Sequence, residues 1–259
     1  MTTVETDVPP IDPRIRARRI AVQRDAGRRR LARLIDVGIV LAVALGFVAA
    51  LYTPLLDVDA VEVAGTARLT AAEVVAAAGI DRGTPLVQVD LGAAGARVAA
   101  LPWVASARLH RGIDGTITVE VVERTPVAVV SRDGEALLVD EEGRVLGPAA
   151  PEEAADLVAL EVDAVPAPGE HLPVQTADAL SVAAALAQRA PGAVVRLDPE
   201  SLEAELAVGG RAALGDRTAL GEKVRSLVTV LNQVDLTCLD LIDVRVPSTP
   251  VLTREEGCS

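Results

Sequence analysis

From Val37 to Leu56 the chain reads VGIVLAVALGFVAALYTPLL, twenty residues without a charge. Wound as a helix, such a run rises roughly 30 Å, the thickness of a bilayer's hydrocarbon core. The pattern therefore predicts a single N-terminal transmembrane helix over 37–56. Beyond it the period changes. Asp57 to Gly65 alternates apolar and polar positions, as a half-buried strand does. Thr70 followed by Glu73 has the spacing of a capping box, and Val74, Val75 and Ala78 form the apolar side of a short helix that Gly79 ends. Asp90 is placed to cap a second helix, Leu91 to Leu101, which Pro102 stops. Val104 to Arg111 and Thr116 to Glu123 alternate again, joined by Ile113-Asp114-Gly115, a hairpin signal. The order over 57–124 is thus β-α-α-β-β.

The remainder, 125–252, reads as short strands with two helices. Strands are predicted at Ala128 to Val130, Ala136 to Asp140 (across Asp133-Gly134), Val145-Leu146 and Leu157 to Val162. Pro166, Pro168 and Pro173 mark a loop before a helix over Ala177 to Arg189. Val194 to Leu197 and Leu202 to Val208 follow as strands, then Gly209-Gly210 turns into Arg211 to Leu214. Leu220, Val224, Leu227, Val228 and Leu231 recur at the spacing of an amphipathic helix. Leu239 to Val246 is the last predicted strand, limited by Pro247 and Pro250, and 253–259 is expected as a flexible tail. The fold class expected is α/β, of the α+β type, with a mixed sheet in its second domain.

Charge gives this layout a direction. Nine arginines stand between Arg14 and Arg33 against one acid there, Asp25, whereas residues 37–259 are strongly acidic. Cationic flanks stay cytoplasmic, so the expected arrangement is a basic cytoplasmic tail (1–36), one span, and an acidic extracytoplasmic part. Arginines beside such a span set topology and meet anionic lipid, so nucleic acid is not an expected partner. Aromatic residues are nearly absent: Phe47, Tyr52 and Trp103 are all of them. Cys238 and Cys258 are the only cysteines. A bridge between them and two free thiols are both open readings, the second the simpler.

Several stretches together resemble a known family. The β-α-α-β-β order resembles a POTRA domain. Val61-Glu62-Val63-Ala64-Gly65 resembles that domain's opening strand, Leu101-Pro102-Trp103-Val104 its "PWV" motif, and Val119 to Ala128 the "V-x-E-R-x-P-V-A" run of the bacterial division protein family FtsQ (DivIB). Arg211-Ala212-Ala213-Leu214-Gly215 with Lys223, and Ile242-Asp243-Val244-Arg245-Val246, are similar to stretches of that family's β-domain. The aromatics that follow the second stretch in Gram-negative members are replaced here by Pro247, Ser248, Thr249 and Pro250. The resemblance implies a POTRA domain over 57–124, a β-domain over 125–252, a place in the cell membrane at the division septum, and as partners FtsB and FtsL, with FtsW/FtsI beyond them.

No residues form a recognisable catalytic or metal-binding set. His110 and His171 lie in different halves, and no nucleophile elbow, phosphate loop or zinc motif is present. Glu123 and Arg124 read as a solvated or domain-bridging ion pair, and acidic runs such as Glu152-Glu153 as solvated turns. The expectation is a non-enzymatic protein without cofactor, metal or small-molecule substrate. It would act as a division scaffold by protein–protein contacts, including strand addition at a C-terminal edge. The residues expected to carry that contact are Asp243, Val244, Arg245, Val246, Pro247, Ser248, Thr249, Pro250, Val251 and Leu252. The alternative is a POTRA-containing polypeptide-transport or chaperone module, which would need further POTRA units or a barrel.

Overall fold

The structure, a computed structural model, describes residues 33–49, 57–112 and 114–255. Residues 33–49 form a helix, here α1. Among the described residues, no helix is long and apolar enough to cross a membrane. This corrects the single transmembrane helix expected over 37–56. Arg33 and Asp36 lie inside α1, and its uncharged part, residues 37–49, rises about 20 Å against the ~30 Å that a span requires. Residues 50–56, most of the basic tail, and 256–259 lie outside the described residues.

The contacts divide the chain into two units. In the first, which includes residues 57–59, 82–89 and 114–115, Val58 N–H donates to the Thr84 carbonyl (2.9 Å) and Asp59 N–H to the Gly115 carbonyl (2.9 Å).

The second unit contains two sheets. The smaller has three strands: β1 (Ala60–Ala64), β2 (Val104–Arg111) and β3 (Thr116–Glu123), in the order β1-β3-β2. β1 runs parallel to β3 and β2 antiparallel to it. Two helices pack on it, α2 (Ala71–Ala78) against β1 and α3 (Leu91–Ala99) against β2. Both start where capping chemistry places them. Thr70 and Glu73 make a reciprocal capping box, and the Asp90 carboxylate accepts from Ala93 N–H at 2.9 Å. Alternation then sorts the faces: Ile117, Val119 and Val121 of β3 are buried, and Glu120 and Val122 exposed. Gly65 ends β1 at φ +86°, where a Cβ would run into the Val121 carbonyl oxygen. Only glycine combines that dihedral with that approach.

The larger sheet follows: β4 (Pro126–Arg132), β5 (Glu135–Asp140), β6 (Val145–Pro148), β7 (Val158–Leu160), β8 (Val194–Leu197), β9 (Glu203–Leu206), β10 (Arg211–Ala213), β11 (Leu239–Asp243) and β12 (Val251–Arg254). Across the sheet the order is β12-β11-β10-β9-β8-β7-β4-β5-β6. It is mixed, with parallel pairs β4–β7, β7–β8 and β10–β11. Helices α5 (Ala177–Arg189) and α6 (Leu220–Gln233) supply Leu180, Leu186, Val224 and Leu227 to the main core. This core contains no aromatic residue and is built from Leu, Val, Ile and Ala, each buried Leu contributing about 1.5–3 kcal/mol.

On the other side of β4, β5 and β6, Val129, Leu138 and Leu146 form a small second core with Trp103 and with Ala154 of α4 (Pro151–Ala155). Burial on both sides is why β4 reads as a continuous apolar run, Val127 to Val130. Glu152 and Glu153, expected in a solvated turn, begin α4 instead, and the Glu153 carboxylate accepts from Ala150 N–H at 3.1 Å. Glu123 and Arg124 do not pair with each other. Glu123 accepts from the backbone N–H groups of Arg68 and Leu69, while Arg124 reaches Asp140 (2.5 Å) and Glu142 (2.7 Å) beside β5.

Candidate functional site

A sheet has two edges, and an edge strand carries unpaired N–H and C=O groups. The two edges of the large sheet differ. Along β6 the chain covers itself: Val145 N–H donates to the Glu170 carbonyl (2.9 Å) and Gly169 N–H to the Val145 carbonyl (2.7 Å), while Arg144 bridges His171. At the opposite end, no described strand pairs with the outer side of β12.

The elements leading to β12 place the expected contact residues in three different situations. Asp243 closes β11, which is paired on both sides, with β10 and with β12. Val244 is fully buried and its N–H donates to the Ala213 carbonyl at 3.1 Å. The strand expected over Leu239 to Val246 therefore stops at Asp243. Arg245 turns back on Asp243, with guanidinium and carboxylate 2.5 Å apart, and this arginine's side-chain and backbone bonds hold the Asp243 pKa below the usual value. Gly215 makes room for that turn: a Cβ there would lie 2.7 Å from Arg245 Cγ.

Val246 to Pro250 form a turn in which Thr249 N–H donates to the Val246 carbonyl (3.0 Å). Val251 and Leu252 then begin β12, which continues through Thr253 and Arg254 into the segment expected as tail. Glu255 N–H donates to the Cys238 carbonyl (3.0 Å). Alternation along β12 therefore directs Val251 and Thr253 toward β11, and the N–H and C=O of Leu252 and Arg254 toward the open side.

Apolar surface gathers at this end. Val246 and Val251 are 59% and 55% exposed. One groove beside them is lined by Asp243, Arg245, Val246, Thr249 and Val251, and a second by Pro247, Ser248 and Pro250 facing α6 at Glu222, Arg225 and Thr229. The α6 wall escaped sequence reasoning because its members look like the ordinary solvated face of an amphipathic helix. Lys223, the one lysine of the chain, anchors that helix: its buried ammonium binds the Asp216 carboxylate (2.5 Å) and carbonyl (2.8 Å).

Cys238, immediately before β11, is disulfide-bonded, which corrects the simpler reading of two free thiols. Among the described residues, no group of acidic, histidine or cysteine side chains could hold a metal ion. His110 sits on β2, 3.6 Å from Glu120, and His171 in the segment that covers β6.

The family model for the POTRA domain of FtsQ type matches residues 56–124. A cell division protein FtsQ of Streptomyces bingchenggensis is 32% identical over 206 residues, covering 77% of this chain and 77% of that protein. The chain belongs to the FtsQ family of cell division proteins. An FtsQ of Corynebacterium glutamicum is 37% identical over 117 residues, 45% of this chain, and the match spans about half of that relative's length (52%). An FtsQ of Mycobacterium bovis is 30% identical over 228 residues, 86% of this chain and 69% of the relative. FtsQ membership puts the β1–α2–α3–β2–β3 unit in the POTRA class and ties the chain to cell division. The glycine and the Pro-Trp-Val run that carried the resemblance have structural work here. Gly65 permits the close passage of β1 by β3, and Trp103 is half-buried where the two sheets meet.

Proposed function

We propose that this chain is a non-enzymatic connecting protein of the division machinery, and that β12 accepts an extended segment of another division protein by strand addition. The observation that carries this reading is the asymmetry of the large sheet, closed by the chain's own backbone along β6 and, among the described residues, left without a neighbour on the outer side of β12. Backbone groups of Leu252 and Arg254 supply affinity, and the exposed valines Val246 and Val251 with the Asp243–Arg245 pair supply selectivity. Asp243 to Leu252 is thus kept as the contact region, with β12 as its acceptor and the 244–250 turn as its border. FtsB and FtsL are the partners that the family resemblance implies, and FtsW/FtsI are reached through them. The folded part is placed outside the cytoplasm, at the septum. The disulfide at Cys238 supports this, because such bonds persist in oxidising compartments.

The test is site-specific photocrosslinking in dividing cells from Val251, with Val174, an exposed valine next to α5, as control. A specific adduct from Val251 and none from Val174 supports strand addition. Adducts from both positions, or from neither, would reject it.

A further inference from the structure

We propose that Lys223 is a positioning residue for the acceptor edge: from inside α6 it fixes the 215–219 loop, and that loop holds Arg245 against Asp243 at the border of β12. This rests on the strand-addition reading and adds a residue that shapes the site from behind.

Lys223 stands where a lysine is poorly suited. It is the fourth residue of α6 and 2% exposed. A buried ammonium persists only where bonds replace its lost hydration, and the N-terminal end of a helix favours anions over cations. Its bonds run to one residue before the helix. Nζ donates to the Asp216 carbonyl (2.8 Å) and to the Asp216 carboxylate (2.5 Å). Thr218 draws the loop together by donating its N–H (3.2 Å) and Oγ1 (2.7 Å) to the same carboxylate. The loop enters α6 through Ala219 at φ +50°, with no side-chain cap. A left-handed alanine is kept only by its surroundings, and the buried lysine is part of what keeps it.

The start of the loop meets the candidate site. Gly215, directly before Asp216, has φ +70°, and a Cβ there would fall 2.7 Å from Arg245 Cγ and 3.1 Å from Cδ. The Arg245 stem is thus confined on that side. Its guanidinium folds back on Asp243, with Nε 2.9 Å and Nη2 2.5 Å from Oδ2, and its N–H donates to Oδ1 at 3.0 Å. Asp243 and Arg245 line one groove with Val246, Thr249 and Val251. The loop's outer tie is Arg217, which is half exposed and reaches Asp178 of α5 (2.8 Å) and the Pro199 carbonyl (3.2 Å). A solvated pair of that kind holds weakly, so the buried lysine sets where the loop lies.

Carboxyl NMR and amide exchange on the full chain test this without any partner. Arg245 lowers the Asp243 pKa through its side-chain and backbone bonds. Lys223→Met and Asp216→Ala each break the buried ion pair, the second from a side chain that is 70% exposed. Either variant is expected to raise the Asp243 pKa and to speed exchange at the Arg245 amide by about tenfold or more. Gly215→Ala, which intrudes on the Arg245 stem directly, should move both readings the same way. Val139→Ala, a buried truncation in β5 toward the other end of the sheet, should destabilise the fold and move neither. The proposal is overturned if the two ion-pair variants leave either reading unchanged, or if Gly215→Ala does. It is overturned too if Val139→Ala moves them equally, since general loosening then explains the change. Photocrosslinking from Val251 in the Asp216→Ala background tests the link to function. A lowered adduct yield supports it, and an undiminished one overturns it. If the unmodified chain gives no Val251 adduct, strand addition fails, while the NMR readings still decide the positioning of Arg245.

Discussion

The guanidinium carbon of Arg68 lies 4.2 Å from the centroid of the Trp103 ring. The same guanidinium engages both carboxylate oxygens of Glu153, the residue that caps the start of α4. A loop residue of the small sheet is thus held by the tryptophan that packs on the second core and by the helix α4 that packs beside the large sheet. Arg68→Ala is expected to destabilise the protein by about 1–2 kcal/mol, combining a cation–π contact with a partly exposed ion pair. Arg68→Lys should recover part of the loss, since it keeps the charge without the planar fork. Urea unfolding of the three proteins checks the order.

Gly65→Ala should cost more than a surface glycine substitution. The residue would carry a side chain at φ +86° and press it into the Val121 carbonyl. A loss of about 1–3 kcal/mol is expected from the backbone conformation alone. Gly83→Ala is the control, at φ +80° with open space around it. An equal loss at both sites would show that the close approach adds nothing.

Proline scanning separates the two sides of β12. Leu252→Pro removes an N–H that faces outward, so the β11–β12 ladder should survive while partner capture falls by at least about tenfold. Thr253→Pro removes an inward N–H and should release β12 itself. Val244→Pro would break the bond to Ala213 inside the sheet and disturb the fold. Amide exchange together with crosslinking yield from Val251 distinguishes these three outcomes.

Asp216 has its pKa lowered from 3.8 to about 2, chiefly because Lys223 donates to its carboxylate and then because Thr218 does. A carboxylate with a folded pKa below its unfolded one stabilises the fold above the unfolded value, and the contribution fades as pH falls through the folded value. Stability should therefore decline between pH 3.8 and about 2. Glu123 adds to the effect: burial pulls its pKa up, but the backbone N–H groups of Leu69 and Arg68 outweigh it and leave it lowered. Lys223→Met should flatten the low-pH part of the curve, as read by urea midpoints across that range.

Short-range chemistry made much of this protein legible in its sequence. The capping box of Thr70 and Glu73, the Asp133-Gly134 hairpin and the five-residue apolar stripe of α6 depend on neighbours within a turn or two of the chain. They appear where the pattern placed them. Long-range pairing decided the rest. Alternation carried the β11 strand through Val246, but the bond from Val244 to Ala213 and the turn of Arg245 onto Asp243 end it earlier. Charge adjacency suggested a Glu123–Arg124 pair, and each found better partners on distant segments. The uncharged run after Val37 is helical as far as residue 49, yet no described helix has the length to span a bilayer. Above all, periodicity says that a segment is a strand but not which neighbours it has. That β6 is covered, and that β12 has no outer neighbour among the described residues, follows only from where residues far apart in sequence meet. The candidate site is therefore a property of the tertiary structure.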